Sequence, residues 1–578
     1  MDLKGTGVSP GIAVGQALVV EREAIPVLRL PLPSGQVERE LGRLSRAVEA
    51  SRAQLQAIKQ RLSTEVGAPH AYIFDAQLLM LEDPLLLDRS IAVIREEHVN
   101  AEWALTSVAE RLHALFDEFK DGYLKERSTD LDDVLGRMLL NLAGEDEAPS
   151  LSRLPGTCIL VAEDLTPSEA AELEWDKILA VAIDAGSRTY HTAILTRSLG
   201  IPGVVGLKDA SRRIPSGALI VVDGTTGEVV IDPSGPELAR YQAAQERNRE
   251  EERKLQQTRS LRAVTRDGLL VRLQANVDFP GEAATGLLYG AEGIGLFRSE
   301  YLLVRSREWP SEEQQFDVYR GLVEQMRPHP VTIRTWDLGP HDLRPAGTAA
   351  RNPALGPRAL RLLSRAPERF REQLRALLRA ARYGPLRIMF PFVGGPSDLK
   401  VALDLIEEVK EGLARDGIEF GESVPVGITI EVPSAAVTAD LLATEVDFFS
   451  VGTNDLIQYL LAVDRADPQT SSLYEALHPA VLRTIRGIVA AGERHRVSVA
   501  LCGEMAADPL QALVLLGLGV RELSMSPAAI PRVKAAVRGA EAEPVRVLAE
   551  ACLAMRTSGE IEAAFRSGLA AVGVRLSV

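Results

Sequence analysis

Two hydrophobic periodicities alternate along this chain. From Ser34 the apolar residues Val37, Leu41, Leu44, Val48, Leu55, Ile58 and Leu62 recur at steps of three, four and seven. That spacing lays them on one face of a long helix, with Ser34 placed to cap it. Further helical patterns run through Ala71–Leu81, Pro84–Glu97, Ala101–Lys120 and Leu131–Leu142, with few glycines or prolines inside them. Together they predict an antiparallel helical subdomain. Residues 1–24 read instead as a loop and one extended run, Ala17-Leu-Val-Val, which needs a sheet formed elsewhere. Residues 148–232 alternate strands and helices. Cys158–Ala162, Ile178–Ile183 and Leu219–Asp223 are strand-like, and a turn at Gly224 leads into Glu228–Asp232 as a hairpin. The helical block is therefore an insertion in an α/β domain.

Residues 233–260 are dense in charge and nearly free of apolar residues, which reads as a solvated linker helix. After Gly268 the pattern becomes regular. Eight apolar runs follow: Leu269–Val277, Gly293–Phe297, Val331–Leu338, Leu386–Phe392, Val426–Val432, Val446–Val451, Val497–Cys502 and Glu522–Met525. Helical patterns separate most of them. Eight βα units are the count of a (β/α)8 TIM barrel, which places chemistry at the C-terminal ends of its strands. Asn276, Arg298, Arg334, Glu431, Asn454, Asp455 and Cys502 cluster at those ends. The expected fold class is multidomain α/β. Its expected parts are 1–24 and 148–232 (α/β domain), 25–147 (helical subdomain), 233–260 (linker helix) and 261–578 (barrel).

Composition narrows the function. The 578 residues are 46% hydrophobic and 25% charged, an ordinary globular balance. A formal net charge of −15 argues against nonspecific nucleic-acid binding and leaves room for a basic protein partner. Three scattered cysteines, Cys158, Cys502 and Cys552, give no disulfide framework or metal motif, so a cytoplasmic setting is expected. The first residues hold no apolar signal core, and no uninterrupted apolar stretch reaches about 18 residues, so no membrane insertion is expected.

The segment Ile183 to Gly203 carries the first chemical signal. An apolar strand ends in the polar turn Asp184–Arg188, and Thr189-Tyr190-His191-Thr192 then opens an apolar-spaced segment. This places a histidine at a helix N-terminus. Unpaired N–H donors and partial positive charge there favour an anion, and favour neutral imidazole over imidazolium. Such a histidine suits the holding of a phosphoryl group. The same residues are also compatible with a polar turn whose histidine bonds locally.

Gly186-Ser-Arg-Thr-Tyr-His-Thr-Ala, followed by Thr196-Arg-Ser-Leu-Gly-Ile-Pro-Gly-Val-Val-Gly, resembles the phosphohistidine motif of phosphoenolpyruvate-utilising enzymes. The whole chain is similar to the Enzyme I family of the bacterial sugar phosphotransferase system. The resemblance implies a swivelling phosphohistidine domain, with His191 as the catalytic acceptor. It implies that the stretch from His70 to Pro84 helps dock the phosphocarrier HPr, and that the barrel binds phosphoenolpyruvate and forms a homodimer. Arg298, Arg334, Arg358 and Arg465 match substrate-binding arginines, whose guanidinium forks suit both phosphate and carboxylate. Asn454 would contact the phosphate. Glu431 and Asp455 would hold Mg2+, a cation that prefers hard oxygen ligands. Cys502 would protonate the enolate left when phosphate departs, giving pyruvate.

The sequence also departs from that family. Where the family shows Asp-x-Gly-Gly-Asp-Lys, this chain has Asp337-Leu-Gly-Pro-His-Asp342, which replaces a lysine by an aspartate. Pro357 stands for a tryptophan before Arg358, and Tyr190 for a small residue beside His191. Two alternatives stay open. One is a regulatory relative with a weakened barrel site. The other is a pyruvate phosphate dikinase or phosphoenolpyruvate synthase, although the helical block lacks the glycine-rich loop of an ATP-binding domain.

Overall fold

In the computed structural model of the chain, glycine and proline divide the first twenty residues into three strands rather than the single run expected: β1 (Asp2–Lys4), β2 (Thr6–Ser9) and β3 (Ile12–Val20). The structure describes residues 2–20, 27–65, 73–81, 83–118, 122–144, 156–166, 169–170, 173–185, 196, 200–304, 309–339, 358–362, 367–465, 470 and 473–574. These form two compact units, Met1–Glu252 and Arg253–Val578.

The first unit holds an eight-stranded sheet. Its later strands are β4 (Cys158–Ala162), β5 (Ile178–Ile183), β6 (Gly203–Val205), β7 (Leu219–Asp223) and β8 (Glu228–Ile231), in the order β1-β8-β7-β3-β4-β5-β6-β2. β3 to β6 run parallel, and the flanking pairs are antiparallel. The apolar runs of β4 and β5 lack polar alternation because both faces of the sheet are covered. Ile159 and Val161 enter one core, while Cys158, Leu160 and Ala162 enter the other, as the two-residue strand period requires. β7 and β8 form the expected hairpin. Backbones pack tightly beside it: a Cβ on Gly7 would lie 2.2 Å from the Gly224 carbonyl oxygen.

The predicted amphipathic helix spans Val37–Glu65 and buries Val37, Leu44, Val48, Leu55 and Ile58. They pack with side chains of four more helices, Ile73–Met80, Leu87–Glu97, Ala101–Glu118 and Gly122–Ala143. Arg43 ties this block together, donating to Glu40 at 2.9 Å and to Glu102 at 2.5 Å. In the stretch from His70 to Pro84, residues 70–72 and 82 lie outside the described residues. Phe74, Gln77 and Leu81 are buried there and Leu79 is exposed.

The charged segment forms the helix Gly235–Thr258, but its start is not wholly solvated. Tyr241 packs on Val221 and Val230, and Gln245 donates to the Ile12 carbonyl at 3.0 Å. One buried aromatic in a charged helix leaves no periodic signal, which is why the sequence pattern misses this anchor.

In the second unit eight parallel strands close into a barrel: β9 (Arg272–Val277), β10 (Ile294–Arg298), β11 (Val331–Arg334), β12 (Leu386–Phe390), β13 (Val426–Ile430), β14 (Phe448–Gly452), β15 (Ser498–Cys502) and β16 (Glu522–Met525). All eight expected runs contain one of these strands or most of it. β16 closes on β9, with Glu522 opposite Arg272. The fold class expected from sequence is the one found. Among the described residues no helix is long and apolar enough to cross a membrane.

Candidate active site

The residues singled out on the barrel converge at the C-terminal ends of its strands. Arg298 ends β10, Arg334 ends β11, Cys502 ends β15, and Glu431 follows β13 directly. Asp455 does not end a strand, as the sequence pattern suggested. It sits with Asn454 in the first turn of the helix Thr453–Leu461, just past β14. Arg358 reaches the same place from just before the short helical turn Ala359–Leu362. His191 lies outside the described residues, as do Tyr190, Pro340, His341, Asp342 and Pro357.

A buried carboxylate organises the arginines. Asp337 accepts from Arg358 Nε at 2.6 Å and Nη2 at 2.7 Å, and pairs with Arg334 Nη1 at 2.9 Å. Burial alone would raise its pKa, but Arg334, Arg358 and Arg298 hold it below the usual carboxylate range. Glu300 adds a second brace. It accepts the Asp337 N–H at 2.6 Å and pairs with Arg334 at 3.3 Å. Burial opposes the charges of Arg334 and Arg358, yet the surrounding carboxylates outweigh it and keep both firmly protonated. Arg334 Nε is buried with no hydrogen-bond partner among the described residues. Such a donor is costly to leave unmade and suits an anionic ligand.

Arg358 Nη2 also pairs with Asp455 at 2.9 Å, and the Arg358 guanidinium stacks 5.2 Å from the Phe392 ring centroid. Arg465 lies 3.7 Å from Asp455, and Arg298 pairs with Asp278 at 3.1 Å. Both are more exposed than Arg334 and Arg358. Asn454 Oδ1 accepts the Glu504 N–H at 3.1 Å. Asn276 is turned to its neighbour strand and accepts from Ser524 at 2.6 Å.

Glu431 is buried and accepts the Phe392 N–H at 2.7 Å. Burial, together with the charges of Asp337 and Asp455, pushes its pKa up to about 8 against the pull of Arg334 and Arg358. A carboxylate raised chiefly by burial is stabilised in its charged form by a bound cation. Among the described residues no group of three or more His, Cys, Asp or Glu side chains could hold a metal ion. Glu431 and Asp455 feel one another's charge and bring two carboxylates to this place. This fits Mg2+, which commonly takes one or two carboxylates and completes its shell with substrate oxygens and water.

Cys502 lies among Leu296, Met389 and Phe448 inside the barrel. Ser450 donates to its Sγ at 3.2 Å, and burial pushes the thiol pKa up. The thiol therefore stays protonated at neutral pH and has a proton to give. The next residue is Gly503, whose φ of +152° and whose absent Cβ, which would lie 2.1 Å from Thr453 Oγ1, let the chain turn away from the site.

The sequence pattern did not single out Glu300, Asp337, Ser450 or Phe392. Asp337 carried a signal, since it lies three residues after Arg334, where a carboxylate can fold back on the guanidinium; Glu300 instead reaches Arg334 at the end of the neighbouring strand. The other two are recognisable only from the barrel's closure.

Three stretches of the chain match descriptions of PEP-utilising enzymes. Residues 4–127 match the N-terminal domain, 154–227 the mobile domain and 252–542 the PEP-binding domain. The chain is 40% identical over 564 residues to a phosphoenolpyruvate-protein phosphotransferase of Geobacillus stearothermophilus, covering 97% of this chain and 96% of that one. It is 40% identical over 580 residues to one of Cupriavidus necator, covering 98% of each. It is 38% identical over 563 residues to one of Staphylococcus carnosus, covering 97% of each.

Proposed function

This chain belongs to the phosphoenolpyruvate-protein phosphotransferases, a family of PEP-utilising enzymes, and from that premise we propose that it moves the phosphoryl group of phosphoenolpyruvate first to His191 and then to HPr. The observation that carries this reading is the half-buried pair Arg334 and Arg358 sharing Asp337 beside Asp455 and Glu431. Two fixed guanidiniums with a spare donor suit a small substrate that carries both phosphate and carboxylate.

In this mechanism Arg298, Arg334, Arg358 and Arg465 bind and orient the substrate, with Asn454 at its phosphate. Glu431 and Asp455 would hold Mg2+, which supplies neutralisation of phosphate charge. An imidazole nitrogen of His191 attacks phosphorus in line, forming the P–N bond as the enol P–O bond breaks. The arginines stabilise the charge that develops. The electron pair left on the enolate takes the Cys502 proton at carbon, giving pyruvate, and the thiolate is reprotonated from water. The phosphoryl group then passes to a histidine of HPr, as the first step of cytoplasmic delivery of phosphate to sugar uptake. The assignments 1–24 and 148–232, 25–147, 233–260 and 261–578 for the phosphohistidine domain, HPr-binding block, linker and barrel belong to the same proposal, as does a homodimer formed through the barrel.

Incubation with 32P-labelled phosphoenolpyruvate and Mg2+ tests it. The native chain should take up label that is acid-labile and alkali-stable, as a phosphoramidate is, and His191→Ala should take up none. Label that survives acid, or persists in the alanine variant, would place the acceptor elsewhere.

A further inference from the structure

The opposite mouth of the barrel, where the strands begin, holds a cavity of about 720 Å3. Arg272 opens β9, Glu292 and Pro330 come just before β10 and β11, and Arg387 lies at the start of β12. That end of a TIM barrel ordinarily serves stability, and a purely structural floor has no use for a large charged cavity. This volume falls within the roughly 300–1,000 Å3 of small-molecule sites.

The charge of the cavity is lopsided. Arg259, Arg262, Arg272, Arg387 and Lys534 line it against one lining carboxylate, Glu292. Behind the wall Glu522 serves two guanidiniums at once, 2.8 Å from Arg272 and 3.1 Å from Arg387. Even with Glu522 counted, five cations face two carboxylates. Among the described residues the guanidinium groups of Arg259 and Arg262 have no ion-pair partner, while their carbonyls accept from Lys534 and Arg538.

Lys534 makes this a built site rather than a surface patch. It is 1% exposed, and its Nζ donates to the Arg259 carbonyl at 2.6 Å and the Gly290 carbonyl at 2.9 Å. An ammonium has three donors, so one remains among the described residues. A buried ammonium is costly unless paired: burial lowers the Lys534 pKa, and the charge of Glu292 opposes this only in part.

We infer that this mouth binds a small organic anion bearing at least two acidic groups, phosphate or carboxylate, at a site separate from the substrate cluster. Arginines carried on different elements recognise such a ligand at several points. The segment Arg259–Arg262 follows the helix Gly235–Thr258, so a bound anion ties the chain just after that helix to the barrel floor. The site is therefore placed to regulate.

Calorimetric titration of the full chain tests this, with inorganic pyrophosphate as the probe in one arm and citrate in the other. The protein carries Arg334→Gln, so that binding at the substrate cluster is suppressed. Saturable binding at about 1 mM or tighter is expected in at least one arm. Tighter pyrophosphate binding marks a phosphorylated ligand, and tighter citrate binding a polycarboxylate. Adding Arg259→Gln and Arg262→Gln should weaken the better probe roughly tenfold or more, the loss of two unneutralised charges. These two exposed side chains brace nothing described, so the melting temperature should not move. Their variants in the otherwise native chain should turn over phosphoenolpyruvate normally without probe. Absence of binding up to about 10 mM in both arms, or undiminished binding in the double arginine variant, would overturn the inference.

Discussion

Asp337 and Arg358, twenty-one residues apart, meet through two parallel hydrogen bonds of 2.6 and 2.7 Å. This fork clamps together the two ends of the segment that contains His341 and Asp342. It also fixes Arg358 against Arg334, which shares the same carboxylate. The geometry of Arg334 and Arg358, two of the arginines proposed to bind substrate, is thus set by one buried side chain that touches no substrate in the proposed mechanism.

Asp337→Asn should therefore damage turnover more than binding. The amide keeps the shape but loses the charge that orders both arginines. The bare arginines still attract an anion, so the apparent KM should move less than about threefold. A misplacement of about 1 Å in a positioning group costs roughly 100-fold, and kcat should fall by that order. Removing one partner of a buried ion pair should also cost about 3 kcal/mol of stability. Steady-state kinetics and urea melts check both. A large rise in KM with kcat intact would show that Asp337 does not position the arginines.

Glu431 gives a stability signature. Its ordinary pKa is near 4.3, and in the folded chain it is pushed up to about 8. Between those values the folded state binds more protons than the unfolded one, so stability falls as pH rises. The slope from this group is at most about 1.4 kcal/mol per pH unit. Urea melts with a chelator present, from pH 5 to 8, should show the decline, and Glu431→Gln should flatten it. Added Mg2+ should restore stability at the alkaline end. Equal slopes for the native chain and the variant would place Glu431 in a milder environment.

Cys502 should show itself in the pH profile of turnover. Burial holds the thiol above its ordinary range, so the alkaline fall in kcat should lie above the usual thiol pKa of about 8.5. Cys502→Ala should lower kcat and abolish that limb while leaving KM nearly unchanged, because the proton is needed only after P–O cleavage begins. Ser450→Ala, which removes the 3.2 Å donor to Sγ, should shift the limb upward without abolishing it. An alkaline limb that survives Cys502→Ala belongs to another group.

The barrel is legible in the sequence because parallel strands covered on both sides are unbroken apolar runs. β12, for example, is Leu386–Phe390, and the run expected there was Leu386–Phe392. The residues at its rim are legible because polar groups directly after such runs stand out. What is not legible is how those groups are braced. The spacing of Asp337 from Arg334 hints at one pairing, but nothing in the sequence shows that Arg358, twenty-one residues on, shares the same carboxylate. Tyr241 is a single aromatic in a charged helix, and its burial on Val221 and Val230 depends on a sheet whose strands come from both ends of the first unit. The division of residues 2–20 into three strands was written in Gly5, Pro10 and Gly11, but strands of three and four residues are too short to show a period.

The segment between Asp337 and Arg358 carries the last prediction. At position 342 this chain has aspartate where the resembled family has lysine, a change of two charge units. Asp342 lies five residues beyond Asp337, and an extended chain spans at most about 3.6 Å per residue, so the two Cα atoms are within roughly 18 Å. At that limit a pair of unit charges interacts by about 0.9 kcal/mol at an effective dielectric of 20, and at about 8 Å by roughly 2 kcal/mol. Salt screens the longer distance severely and the shorter one much less. An Asp342 turned toward a trianionic substrate therefore raises its apparent KM, and Asp342→Lys should lower that KM tenfold or more. Adding His341→Asp should return part of the effect, since it restores a negative charge one residue away. Both measurements need low and high salt, because only an electrostatic effect shrinks as salt rises. An unchanged KM for both variants at low salt would mean that Asp342 faces away from the substrate. It would also remove the sequence argument for a regulatory relative with a weakened site.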